Sequence, residues 1–292
     1  MTTLPLVRTM TDSHGVEITF YEWPVANPKA IVQIAHGLGE HARRYDHVAE
    51  ALNKAGFGVY ADDHRGHGAT GVNMRAKGLI KQQGNLGPGG MPATFAAVRQ
   101  LSHLIRGEHP ESQLVLLGHS WGSMIVQRIL NKFSDEYDFA VLTGSTLLLP
   151  GILPSGGFNK KYEVEAKKTG TEISGGEWLS RDLEVGKKFR ADPFNFAETA
   201  IGVFGVSNVI SLLGVPSRKM PADIPILLMA GSDDAIGGEK GNVMLLNAYK
   251  RAGLTDLELI IYDGGRHEVF NETNKSEVMD DLIEWLTARI DD

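Results

Sequence analysis

The sequence predicts an α/β protein: a mostly parallel, eight-stranded sheet with helices on both faces and one inserted cap. Eight short apolar or alternating runs recur along its 292 residues, and amphipathic stretches of helical period separate several of them. The runs at 114–117 and 226–230 are apolar at every position, as strands buried on both faces of a parallel sheet must be. The rhythm breaks only between 146 and 223, which marks the insertion.

Each element follows from its own stretch of chain. Runs 7–10 and 17–23 flank Asp12-Ser13-His14-Gly15 and predict an N-terminal hairpin. Run 31–35 ends in the loop His36-Gly37-Leu38-Gly39-Glu40-His41, and an amphipathic helix is expected at 45–55. Run 58–61 leads into Asp62-Asp63-His64-Arg65-Gly66-His67-Gly68, and a second helix is expected at 94–106. Run 114–117 then passes through Gly118-His119-Ser120-Trp121-Gly122 into a helical stretch at 123–130. Strands at 139–142, 226–230 and 257–262 complete the sheet, with helices at 242–252 and 275–290. The predicted organisation is a core of 1–145 and 224–292 carrying a cap of 146–223. That cap begins Leu147-Leu148-Leu149-Pro150-Gly151-Ile152, crosses a polar, glycine-bearing stretch at 160–176 and ends apolar-rich at 194–213. A lid above the strand ends accounts for both its position and its mixed character.

Bulk properties narrow the function. The length suits one large domain with an insertion. A net charge of −7 argues against nucleic-acid binding, which needs a basic face. One acid-free stretch, 64–107, contains Arg65, Arg75, Lys77, Lys81, Arg99 and Arg106 and reads as a solvated basic patch. The chain has no cysteine, so disulfides, thiolate catalysis and cysteine-held metals are excluded. Its first residues lack the charged start and long apolar core of a signal peptide. No run approaches the ~18 apolar residues of a membrane span, so a cytoplasmic protein is expected.

The chemistry centres on Gly118–Gly122. Glycines on either side of a serine allow the strand-to-helix turn that holds a nucleophilic hydroxyl out at the strand end. A bare serine is a poor nucleophile, so a base, an orienting acid and an oxyanion site are required. On this scaffold the acid and then the histidine follow the serine in chain order. His267 is the only histidine after Ser120, on a loop just before the last helix. The loop after run 226–230 supplies two adjacent acids, Asp233 and Asp234, and spacing does not choose between them. The oxyanion donors expected are the backbone N–H groups of Trp121, directly after the serine, and of Leu38 in the glycine loop.

Taken together, these motifs resemble the α/β-hydrolases of the monoacylglycerol lipase and lysophospholipase group. The resemblance rests on H-G-x-G-E-H at His36 to His41, D-x-R-G-H-G around Asp62 to Gly68, the elbow at Gly118 to Gly122, G-S-x-D at Gly231 to Asp234, and Gly264-Gly265-Arg266-His267-Glu268. It covers about 30–130 and 225–290. It implies the α/β-hydrolase fold, assigns the acid to Asp234 and makes 146–223 the cap lining an acyl pocket. Ser123 stands where many relatives carry a third glycine, and Ala235-Ile236 replaces a Pro-Val pair. The implied activity is carboxylic ester hydrolysis through an acyl-enzyme on apolar acyl monoesters such as monoacylglycerols or lysophospholipids. Neither a metal nor an organic cofactor is needed. The small-molecule ester would be the partner, with transient contact between the cap and a lipid surface.

Competing readings are weaker. An amide or peptide hydrolase uses the same triad, and a non-catalytic ligand-binding protein would reuse the scaffold but is expected to lose a triad member. Dehalogenases and epoxide hydrolases of this type use a carboxylate nucleophile where this elbow has serine. Gly66-His67-Gly68-Ala69-Thr70-Gly71 spells a dinucleotide fingerprint, but no acid follows at the spacing that a ribose needs. A metal held by His36, His41, Asp63, His64 and His67 matches no zinc spacing; loop hydrogen bonding is the expected role of these residues.

Overall fold

A computed structural model describes residues 4–149 and 157–290. Its strands form one sheet in the order β1-β2-β4-β3-β5-β6-β7-β8. β1 (Leu6–Thr11) and β2 (Glu17–Trp23) form the expected hairpin, and β2 pairs antiparallel with β4 (Gly58–Asp62). β3 (Ala30–Ala35), β5 (Gln113–His119), β6 (Phe139–Thr143), β7 (Ile226–Gly231) and β8 (Leu257–Tyr262) continue the sheet in parallel. All eight expected runs are strands.

The helices in chain order are α1 (Asp46–Lys54), α2 (Gly68–Ala76), α3 (Gly90–Glu108), α4 (Trp121–Phe133), α5 (Lys160–Thr169), α6 (Leu183–Ala191), α7 (Ala200–Phe204), α8 (Val206–Ile210), α9 (Gly238–Ala252) and α10 (Lys275–Ile290). Alternate strand residues feed two separate cores. Leu114, Leu116, Leu142 and Leu228 pack with residues of α3, α4 and α9 on one face. Val115, Leu117, Val141 and Leu227 pack with residues of α1 and α10 on the other. This is why the central strands have no polar face to show. At roughly 1.5–3 kcal/mol for each large apolar side chain buried, these two layers dominate the stability.

β3 and β5 are neighbours whose onward connections run to opposite sides, β3 toward β4 and β5 toward β6. The crevice at such a reversal is where open α/β sheets place their ligands. Ser120 ends β5 there, and the His36–His41 loop ends β3 beside it.

Helix α2 was not expected from the sequence, because its glycine-bearing segment carries little amphipathic signal. Asp63 explains it. Its Oδ2 accepts from the Ala69 N–H at 2.7 Å, at the helix N-terminus, and a Cβ on Gly68 would collide with the same carboxylate. The place a phosphate would take in a dinucleotide motif is filled by a side chain of the protein itself.

The acid-free stretch is the expected solvated basic patch only in part: Arg75, Lys77 and Lys81 are exposed, whereas Arg65, Arg99 and Arg106 are paired. Arg65 is fully buried, pairs with Asp12 and donates from Nε to Leu86 O at 2.9 Å. Arg99 pairs with Glu136 and Arg106 with Asp138, each at 2.6 Å. The missing local acids are supplied from distant positions in the chain.

Between β6 and β7 lie α5–α8, with no strand among the described residues; Pro150, Gly151 and Ile152 fall outside those residues. Val203, Phe204 and Leu212 are buried, whereas Ile201, Val206 and Ile210 are exposed. Among the described residues no helix is long and apolar enough to cross a membrane.

Arg65 ties the β1–β2 turn to the 84–90 loop, so removing it leaves the buried Asp12 carboxylate without its cation. Arg65→Met should lower stability by about 3 kcal/mol, read as a fall in the urea midpoint at unchanged slope. A loss under ~1 kcal/mol would mean that water replaces the guanidinium.

Candidate active site

The elbow is held open by what lies around it. Ser120 has φ 53° and ψ −119°, a left-handed turn that costs a serine on the order of 1–3 kcal/mol. Neither flanking glycine has room for a side chain. A Cβ on Gly118 would come within 2.6 Å of Gly122 O, and one on Gly122 would collide with Ala35 O and sit 2.6 Å from His36 O. The Ser120 N–H is anchored on Thr143 O of β6 at 2.9 Å. Ser123, at the position of the absent third glycine, donates to Ser120 O at 2.6 Å and contacts Ser145 Oγ at 2.9 Å. It supports the turn.

Asp234 and His267 are brought together, with His267 Nδ1 3.0 Å from Asp234 Oδ1. The same oxygen accepts from the Ile236 N–H at 2.8 Å. Asp233 turns away. Its carboxylate pairs with Lys161 of α5, and its carbonyl accepts from Tyr162 Oη. Long-range contacts thus separate two carboxylates that spacing left equivalent. Burial opposes charge on Asp234, but His267 outweighs it and holds the carboxyl below its usual range. Burial likewise pulls the His267 imidazole down, and attraction to Asp234 more than offsets this, so its pKa is raised.

Ser120 is 8% exposed and His267 1%. They share no direct hydrogen bond, and His267 Nε2 has no partner among the described residues. Rings pack on His267 from two sides, His119 with centroids 4.8 Å apart and Trp178 at 4.8 Å and 27°. Burial, and then the charge of His267, push His119 down to about 4.

The loop after β3 presses onto the elbow. A Cβ on Gly37 would meet Ser120 Cβ at 3.2 Å, and the Gly37 N–H donates to Glu40 Oε1 at 2.6 Å. Glu40 Oε1 also accepts from Tyr45 Oη at 2.8 Å. The Leu38 and Trp121 N–H groups, the expected oxyanion donors, donate to none of the described residues. Arg44 joins this loop to the histidine loop: it pairs with Glu40 and makes two 2.7 Å bonds to Glu268. Burial opposes the Glu268 charge, but Arg44 holds the carboxyl down at about 2.

Of the histidines weighed as metal ligands, His36 and His67 bond backbone carbonyls, and His64 and His41 pair with Asp62 and Asp192. His36 donates from Nδ1 to Gly37 O at 2.7 Å and accepts from the His64 N–H at 3.0 Å, which fixes it neutral. Burial, followed by repulsion from His64 and His67, holds His36 well below its ordinary value, and burial pushes His67 down to about 3.

The β6–β7 segment closes over the site. Phe196 donates from its N–H to Gly39 O at 2.9 Å, His41 pairs with Asp192 at 2.9 Å, and Phe204 lies 4.6 Å from the Trp121 ring. Arg44, Glu268, Asp192 and Trp178 were not found by sequence reasoning. Glu268 follows the expected base directly, which was the one available signal.

The chain matches the family model described as serine aminopeptidase S33 (Hydrolase_4) over residues 26–274. It is 30% identical over 289 residues to the monoacylglycerol lipase of Mycolicibacterium smegmatis, covering 94% of this chain and 95% of that enzyme. The chain belongs to this α/β-hydrolase family. It is also similar to the monoglyceride lipase of Rattus norvegicus, 27% identical over 92% of this chain and 86% of that one. Among solved structures it resembles a thermostable carboxyl esterase from Bacillus coagulans, with a TM-score of 0.81, 25% identity, and 99% and 100% of the two chains covered.

The buried neutral histidines make the fold acid-sensitive. His36, His67 and His119 have folded pKa values below the unfolded ~6.5. Their stabilisation is present above pH ~6.5 and lost as pH falls, by up to about 1.4 kcal/mol per unit for each ring. His267 runs the other way: its raised pKa gives stability that is full below ~6.5 and lost as pH rises through the folded value. Glu268 contributes stability that is full above its unfolded value of ~4.5 and lost progressively as pH falls toward about 2. Urea unfolding near pH 5 should take up roughly two or more protons. Stability that stays flat between pH 7 and 5 would show these rings to be solvated.

Proposed function

We propose that the protein is a serine carboxylic ester hydrolase that cleaves apolar acyl monoesters, monoacylglycerols first, through an acyl-enzyme. The observation that carries this reading is the buried His267–Asp234 pair together with a left-handed Ser120 at the strand-to-helix turn. The relatives named monoacylglycerol lipase and monoglyceride lipase match nearly the whole chain. In this mechanism Ser120 Oγ attacks the acyl carbon while His267 Nε2 takes its proton. Asp234 holds the imidazole in the Nδ1–H tautomer and offsets the charge it gains. The Leu38 and Trp121 N–H groups receive the oxyanion. His267 then protonates the departing alcohol, and water, deprotonated by the same ring, releases the acid.

In this reading residues 146–223 are the lid. The buried residues Phe204 and Val203 and their neighbours would line the acyl path, and exposed Ile201, Val206, Ile210 and Val215 would meet a lipid surface. Lysophospholipids would be handled as monoesters of the same shape.

A fluorophosphonate probe should label the wild type and not Ser120→Ala; a folded wild type that resists labelling overturns the proposal. Asp234→Asn should cut kcat by roughly 10³–10⁴, whereas Asp233→Asn should stay within about threefold, because its contacts are to Lys161 and Tyr162. Equal losses would mean that the acid is misassigned. Rates on p-nitrophenyl esters should exceed those on aminoacyl anilides; near-equal rates would favour an amide hydrolase.

A further inference from the structure

We propose that Trp178, which lies outside the sheet in the β6–β7 segment, is a positioning residue for the base. Its indole face would hold the His267 ring and stabilise the imidazolium that forms as Ser120 attacks. This rests on His267 being the base.

Three observations support it. The indole and imidazole rings lie 4.8 Å apart and 27° from parallel, a stacked arrangement. A cation within about 6 Å of an indole centroid is attracted by the ring quadrupole, most strongly where water is excluded, and His267 is almost fully buried. The contact is also clamped rather than incidental. Trp178 O accepts from the His267 N–H at 3.3 Å, and Leu179 O accepts from the Glu268 N–H at 2.8 Å. Arg266 Nη1 donates to Glu177 O at 2.7 Å and to Ser180 O at 3.1 Å. Phe158 backs the indole with centroids 5.0 Å apart.

Other titratable groups face the imidazole from each neighbouring element. Asp234 approaches from the loop after β7, Glu40 with Arg44 from the loop after β3, Glu268 from its own loop, and His119 from β5. None of them lies on the segment that carries Trp178. A change at Trp178 therefore alters the ring's environment without removing a charge.

The test compares Trp178→Phe with Trp178→Leu. Leucine keeps apolar bulk and loses the π face. The acid-limb pKa of kcat/KM should drop by about 0.5–1 unit in Trp178→Leu. The same loss of imidazolium stabilisation should lower plateau kcat by roughly three- to tenfold, with KM within about twofold. Trp178→Phe should retain most of both. A Trp178→Leu enzyme whose acid limb and kcat stay at wild-type values, with any loss confined to KM, would make Trp178 only a pocket wall and overturn the proposal. So would equal losses in Phe and Leu variants.

A second readout separates this from the assignment of the base. Protonated imidazole quenches a stacked indole, so wild-type fluorescence should show a pH step that Trp178→Phe and His267→Asn both lack. A step that is present but does not coincide with the kinetic acid limb would leave the stacking intact and refute His267 as base. An absent step would refute the stacking itself.

Discussion

Arg44 is the constraint on which the site geometry depends. The loop carrying Leu38 follows β3 and the loop carrying His267 follows β8, with β5, β6 and β7 between those strands in the sheet. One buried guanidinium reaches both, through Glu40 on one side and Glu268 on the other. Glu40 in turn holds the Gly37 N–H and Tyr45 Oη. The glycine loop therefore takes its shape from the same carboxylate that ties it, through Arg44, to the His267 loop. Desolvating three charges is expensive, and such a network contributes less to stability than its short bonds suggest. What it supplies is a fixed relation between two loops that share no strand pairing. Phe189 of α6 stacks under the guanidinium at 4.9 Å, so the β6–β7 segment closes on this point as well.

The second constraint is steric and acts at the elbow. A helix can start directly after β5 only if Ser120 turns left-handed and the following turn lies against the β3 carbonyls. Gly118 and Gly122 are needed because backbone oxygens stand where their Cβ atoms would be. This arrangement is local in sequence, which is why five residues were enough to read it. The same holds for the central strands, whose apolar runs reflect burial on two faces.

Other features were illegible for a physical reason. Helix α2 is started by a carboxylate from the preceding loop, and α7 and α8 are single turns or little more, held by tertiary contacts such as Asn208 Oδ1 with the Met91 N–H at 2.7 Å. None of these leaves a long amphipathic trace. The basic stretch misled at Arg65, Arg99 and Arg106, because their counter-charges, Asp12, Glu136 and Asp138, lie elsewhere in the chain. Arg44 and Glu268 are 224 residues apart, and no spacing rule reaches that far. The pair Asp233 and Asp234 is the sharpest case. Spacing alone cannot choose between adjacent identical side chains; the family motif pointed to Asp234, and the contacts of Lys161, Tyr162 and His267 separate the two.

On the proposed reading, the nearly buried Ser120 must be uncovered to admit an ester, and the β6–β7 segment is attached around it in two different ways. The strip from Glu177 to Asp182 is bonded to the histidine loop by main-chain hydrogen bonds and by Arg181, whose Nε donates to Glu272 at 2.8 Å. By contrast, the stretch around α7 and α8 is attached by scattered polar bonds, among them Asn85 to Val203 O at 2.8 Å and Phe196 N–H to Gly39 O. Its remaining contacts are apolar packing that an acyl chain can replace in kind. On that reading, opening at α7 and α8 would exchange apolar packing for an acyl chain, whereas opening at the Trp178 strip would break the bonds to the loop of His267, the proposed base. On the proposed reading, substrate enters past the first and leaves the second in place, so the lid moves without disturbing the chemistry it covers.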